Sequence, residues 1–107
     1  MMENVVRYYR LVDGAPIPCS FAERGKQKPL TDRIDRTELE GAVVSTVFLG
    51  IAHGFDDKGR PLLFETIIFA AKYSAIDEQL MRCATLNEAK EMHEAMVLAV
   101  RLELESS

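Results

Sequence analysis

The chain reads as a series of short segments in which apolar positions alternate or run together, followed by one long segment with a period near 3.6. Val5 to Val12 (VVRYYRLV) is rich in β-branched and aromatic side chains and predicts a strand. Asp13-Gly14 supplies turn chemistry, and Pro16 and Pro18 in the following DGAPIP are expected to forbid continued pairing. Ser20 to Gly25 predicts one helical turn, with Ser20 as N-cap and Gly25 as C-cap. KQKPLTD then reads as a surface loop.

Arg33–Leu39 alternates well enough for a strand with one wet face, and Glu40-Gly41 is a tight connection into a strand over 42–51. In that strand Val43, Ser45, Val47, Leu49 and Ile51 share one side, and Val44, Thr46 and Phe48 share the other. Both sides are largely apolar, which predicts a central strand covered on two faces. A similar strand is expected over 62–70, antiparallel to it, with 52–61 as their exposed connection, and a further strand over 78–84. Thr85-Leu-Asn-Glu88 fits a capping box. From there Leu86, Ala89, Met92, His93, Met96, Ala99 and Val100 follow one helical face, giving an amphipathic helix of about 17 residues. The expected fold is α+β: a single antiparallel sheet of four to five strands, one C-terminal amphipathic helix packed on it, and a short N-terminal helical turn. It is one domain over 1–107, with 1–4 and 103–107 expected to be flexible.

Charge and cysteine content narrow the function classes. Residues 1–36 carry a net +2 and residues 37–107 a net −6, summing to −4. No basic stripe runs through the chain, so general nucleic-acid binding is not expected. A local patch of Arg24, Lys26, Lys28, Arg33 and Arg36 reads as a solvated loop or as a meeting place for an anionic ligand. No segment reaches the roughly 18 apolar residues of a membrane span, and Glu3, Arg7 and Arg10 interrupt any leader-like start. A cytoplasmic location, in a host cell, is the expectation. Cys19 and Cys83 lack the spacing of a zinc site and are expected to be reduced thiols.

Val44 to Gly50, His53, Phe55, Gly59, Pro61 and Leu63 to Thr66, then Arg82, Thr85, Glu88-Ala89 and His93, form a longer pattern. It resembles the runs VSTVFLGLDH-F-G-P-LFETMVF and RYST-EEA--GH of a family of small uncharacterised proteins from tailed phages and prophages. RTELEGAVVSTVF is similar too, so the resemblance spans about residues 36–96. It implies a phage origin and carries no activity to transfer. Ala52 stands where the family has an acid, Cys83-Ala84 replace its Tyr-Ser, and Met92 replaces its Gly. If that acid orients the histidine in the family, the pairing is absent for His53.

Five residues are candidates for a ligand site: Glu65, His53, Arg82, Arg36 and His93. Glu65 shares a strand face with Leu63, Ile67 and Phe69, so it needs a cation or a ligand donor, and Arg36 or Arg82 on a neighbouring strand can supply one. His53 is either an acid/base imidazole at the hairpin mouth or a turn residue. His93 lies on the apolar helix face, as a satisfied core histidine or as part of a site with His53 and Glu65. Asp56-Asp57-Lys58-Gly59 lacks the alternate acids and closing glutamate of a calcium loop and reads as a turn. Arg82 beside Cys83 is expected to lower that thiol's pKa, without an acid/base partner. No nucleophile elbow, phosphate loop or HExxH occurs, and no cofactor, metal or catalytic residue is expected.

These readings point to a non-enzymatic phage accessory protein that works by binding. It would counter host defence by sequestering a small anionic, nucleotide-like ligand or by occluding a host protein. The rivals are a small hydrolase or nuclease using His53, Glu65 and His93, and a virion assembly factor. Apolar strands with only one long helix to cover them also predict a homo-oligomer.

Overall fold

The computed structural model describes residues 8–26 and 32–106. Residues 1–7, 27–31 and 107, which include the start of the predicted first strand and most of the KQKPLTD loop, lie outside the described residues. The elements run β1 (Tyr8–Val12), β2 (Ala15–Cys19), α1 (Phe21–Gly25), β3 (Arg33–Leu39), β4 (Ala42–Phe48), β5 (Phe64–Phe69), β6 (Leu80–Cys83) and α2 (Leu86–Ser106).

The class is α+β with antiparallel pairing, but the strands form two sheets, of two and four strands, where a single sheet was expected. The additional strand is β2, APIPC, which the prolines were expected to exclude. It pairs with β1 in the register Leu11↔Pro16 and Tyr9↔Pro18. Residues two apart point their backbone nitrogens to the same side of a strand. Pro16 and Pro18 therefore both fit on the outer side of an edge strand, where no amide is needed. Asp13 and Gly14 both take positive φ (51° and 81°), the two-residue turn that suits a hairpin and favours Asp-Gly. The hairpin meets the rest of the chain where the Tyr9 amide donates to the Gly50 carbonyl at 2.9 Å.

The second sheet is ordered β3-β4-β5-β6, every pair antiparallel. β4 and β5 are its central strands, as predicted, joined through the 49–63 connection. Glu40-Gly41 makes the tight β3–β4 turn, with the Tyr73 ring seated where a Gly41 side chain would begin. The strand expected over 78–84 starts at Leu80, because Glu78 adopts a left-handed φ of 65° while its amide donates to Ile68.

Helix α2 starts on the predicted capping box: the Glu88 amide donates to Thr85 Oγ1, and the Thr85 amide donates to Glu88 Oε1. It runs 21 residues rather than about 17, so 103–106 belong to its last turn. Its inner face buries Ala89, Met92, His93, Met96, Val97 and Val100; Val97 replaces the expected Ala99, which is exposed. Ala89 packs by Phe48 and Phe64, and Val100 by Val44 and Ile68, so the helix runs along β5 in the same direction. Each large apolar side chain buried here contributes about 1.5–3 kcal/mol.

The β1–β2 hairpin packs Tyr9 and Leu11 on the same side of the sheet as α2, next to Phe48 and Leu86. Among the described residues, coverage is therefore one-sided. Ala42, Val44, Thr46 and Phe48 are buried, but Val43, Ser45 and Val47 are only half-buried, and no described element lies over them. The expectation of a central strand covered on both faces fails at this point.

Candidate functional site

Strand register sets Glu65, Arg82 and Arg36 on one side of the sheet, while His93 reaches the other side from α2 and His53 lies in the 52–61 connection. Directly opposed residues in antiparallel strands share a face. Val47, Glu65 and Arg82 form one row across the open side, and Arg36, Ser45, Ile67 and Leu80 the next. Glu38, Val43 and Phe69 make a third row, and Arg33 opposes Val47.

Glu65 has the partner its position demanded. Arg82 Nε donates to Glu65 Oε2 at 2.9 Å across the β5–β6 pair, over a half-buried carboxylate flanked by Val47 and Ile67. Arg36 lies two strands away and is paired instead with Glu38 on its own strand. Arg33 is exposed and has no ion-pair partner among the described residues. The open side thus presents three guanidinium groups and two carboxylates on a floor of valine, isoleucine, leucine and phenylalanine.

His93 lies on the opposite, covered side and is completely buried, at 0% exposure. Its Nδ1 is 2.7 Å from Thr46 Oγ1 and its Nε2 is 2.8 Å from Thr37 Oγ1. Thr46 is in turn bonded to Thr66, also fully buried. Asp35 Oδ2 approaches Nε2 at 3.6 Å from the exposed edge. A neutral imidazole offers one donor and one acceptor, and hydroxyls can serve either role, so the chain Thr37–His93–Thr46–Thr66 is satisfied in either tautomer. This is the satisfied core histidine. The threonines were legible as a signal: each holds an inward phase, in VSTVF and FETII, where an apolar residue would otherwise stand.

His53 sits in the 52–61 connection with its imidazole exposed; its backbone amide donates to Leu62. Its side chain has no hydrogen-bond or ion-pair partner among the described residues. Glu65 and His93 are separated by the sheet itself, so the His53–Glu65–His93 constellation required of a hydrolase does not assemble.

The connection holds a different constellation. Asp56 Oδ1 accepts from the Lys58 and Arg60 amides, each at 2.9 Å, and Asp56 Oδ2 accepts from Arg60 Nε at 2.7 Å. Arg60 then reaches Glu88 Oε2 at 2.8 Å, tying the loop to the first turn of α2. The Arg60 amide, more than its guanidinium, holds the Asp56 carboxyl below its usual range, while the Arg60 guanidinium is the main cause of the lowered Glu88 carboxyl. Asp56 is therefore a turn and bracing residue. Burial pushes the Cys83 thiol up to about 11, with Glu88 adding to the effect, which reverses the expected activation by Arg82.

Among the described residues, no cluster of three or more His, Cys, Asp or Glu side chains could hold a metal ion. None of the helices they form is long and apolar enough to cross a membrane. Compared with family models, with curated proteins and with solved structures, the chain finds no match. What the arrangement offers chemically is a basic, partly apolar sheet face able to receive an anionic partner.

Proposed function

We propose that this chain is a non-enzymatic phage or prophage accessory protein that acts by binding, and that its binding surface is the open face of the four-stranded sheet. The observation carrying this reading is that face's charge. Arg33, Arg36 and Arg82 outnumber Glu38 and Glu65 there, in a chain whose overall charge is −4. Planar guanidinium groups above an aliphatic floor suit a carboxylate- or phosphate-bearing partner. Such a partner is a nucleotide-like ligand or the acidic surface of a host protein, taken up to counter host defence. Homo-oligomeric assembly and a cytoplasmic site of action in the host belong to the same reading.

Glu65 positions Arg82, so it is the residue to probe. Calorimetric titration with adenosine monophosphate and with a cyclic dinucleotide, at about 0.15 M salt, tests the ligand form of the proposal. Glu65→Gln should leave the fold intact and weaken binding by about 1–3 kcal/mol, the range for loss of a charged hydrogen-bond partner. If Glu65→Gln lowers stability while binding is unchanged, the pair is structural only and the open face is not the binding surface.

A further inference from the structure

Among the described residues the sheet is covered on one side only, and α2 is apolar on two sides. Phe69 and Leu80, on the open sheet face, are 51% and 44% exposed. On the outward side of α2, Ala95, Leu98 and Leu102 recur at the spacing of one helical stripe, with Leu98 57% and Leu102 55% exposed. The stripe is flanked by Glu91, Glu94 and Glu105, against Arg101 and Lys90 along one edge. None of these five has an ion-pair partner among the described residues. The helix stripe is thus acidic and apolar, where the sheet face is basic and apolar.

Two direct self-pairings of these surfaces bring like charges together. Antiparallel pairing of two α2 stripes about Leu98 sets Glu91 of one copy against Glu105 of the other. Two open sheet faces related by an axis along the strands set Arg33 of β3 over Arg82 of β6. Each arrangement brings like charges together, which costs rather than stabilises. The unlike surfaces match in sign and also in length. Glu91 to Glu105 spans about 21 Å of helix, and Ala42–Phe48 about 20–24 Å of strand.

We propose that the outward face of α2 docks on the open sheet face of a second copy of this chain. The inference rests on the open face being the binding surface, and it adds the acidic helix of a second copy to the anionic partners that surface takes. Within one chain α2 already lies along β5 on the covered side. A second copy displaced by roughly one sheet and one helix layer, about 20 Å, therefore lays its own α2 along the same strands from below. Leu98 and Leu102 then meet Ile67, Phe69 and Leu80, while Glu91 and Glu94 meet the arginine rows. The contact is heterologous, so a pair of copies keeps one helix face and one sheet face free to continue the assembly.

Light scattering coupled to size exclusion, over about 5–200 μM, is the test, a range chosen to span the weak contacts of small interfaces. The unsubstituted chain should exceed the 12.0 kDa monomer mass and grow with concentration. Ile67→Glu and Leu98→Glu should each run as monomers with unchanged circular dichroism. Mixed in equal amounts they should form a species of twice the chain mass and nothing larger, because one intact helix face meets one intact sheet face. Should Ile67→Glu unfold the chain, Leu80→Glu on the same face replaces it. A mixture that stays monomeric while the unsubstituted chain assembles would overturn the helix-on-sheet contact in favour of a symmetric one. An unsubstituted chain that is monomeric throughout would overturn self-docking. If Ile67→Glu still abolished nucleotide binding in that case, the open face would stand as a binding surface for another partner.

Discussion

Thr46 shows how much one hydroxyl can hold in a dry interior. It bridges His93 Nδ1 and Thr66 at full burial, and the other imidazole nitrogen is held by Thr37. Thr46→Val keeps the shape and β-branching but leaves the buried Nδ1 and the Thr66 hydroxyl without their shared partner. An unmade buried hydrogen bond costs about 1–3 kcal/mol, so urea unfolding at pH 7 should show a loss of that size. Thr66→Val removes a hydroxyl at the end of the chain and should cost less, since His93 keeps both of its contacts. Equal losses for the two would mean that the network is not ordered around Thr46. Gly50 is a second position where one atom decides. Its φ of 76° is left-handed, and the Arg24 guanidinium occupies the space a Gly50 side chain would enter, between Asp32 and the Phe48 ring.

At the scale of elements, α2 and the 52–61 connection are joined by the Asp56–Arg60–Glu88 brace. Both carboxyls are held below their ordinary values in the folded chain, so the unfolded chain binds more protons in acid. Their contribution is therefore fully present above the unfolded carboxylate range, near pH 4, and is lost as pH falls through the lower folded values. Arg60→Ala acts mainly through Glu88, because the main cause at Asp56 is the Arg60 backbone amide, which alanine retains. The stability gap between Arg60→Ala and the unsubstituted chain should consequently be larger at pH 7 than at pH 2.5. Denaturant midpoints at the two pH values measure it, and a gap independent of pH would show that Arg60 acts by packing alone.

At the scale of the whole molecule, the sheet separates a sealed side from an open one, and the same substitution should read the difference. Met96→Glu puts a carboxylate among Val44, Ile68 and Val100, where an unpaired charge costs several kcal/mol. Ile67→Glu puts it on the open face between Ser45 and Leu80, in the row that Arg36 begins, where the charge can stay in contact with water. Thermal melts should show a large drop for the first and little change for the second. Comparable drops would mean that the open face is as dry as the core.

Local chemistry was sufficient for much of this architecture. The N-cap at Ser20, the capping box at Thr85, the Glu40-Gly41 turn and the alternation in VVSTVF and FETIIF each act over a few residues, and each appears at its predicted place, whereas α1 takes Lys26 and not Gly25 as its C-cap. Position along a strand also required a cation for Glu65 and named Arg82 as a candidate. Selecting Arg82 over Arg36 took the strand order, because β4 lies between Arg36 and Glu65. The prolines of β2 misled because a proline's cost depends on whether its nitrogen faces a neighbour or solvent, which only the finished sheet defines. Likewise, apolar side chains on both faces of β4 record what each face can bury, not what covers it. Folding placed α2 and the hairpin on one side, sealed His93 there with three threonines, and left the arginine-bearing face open. Burial is a property of packed elements, and no single segment's pattern contains it.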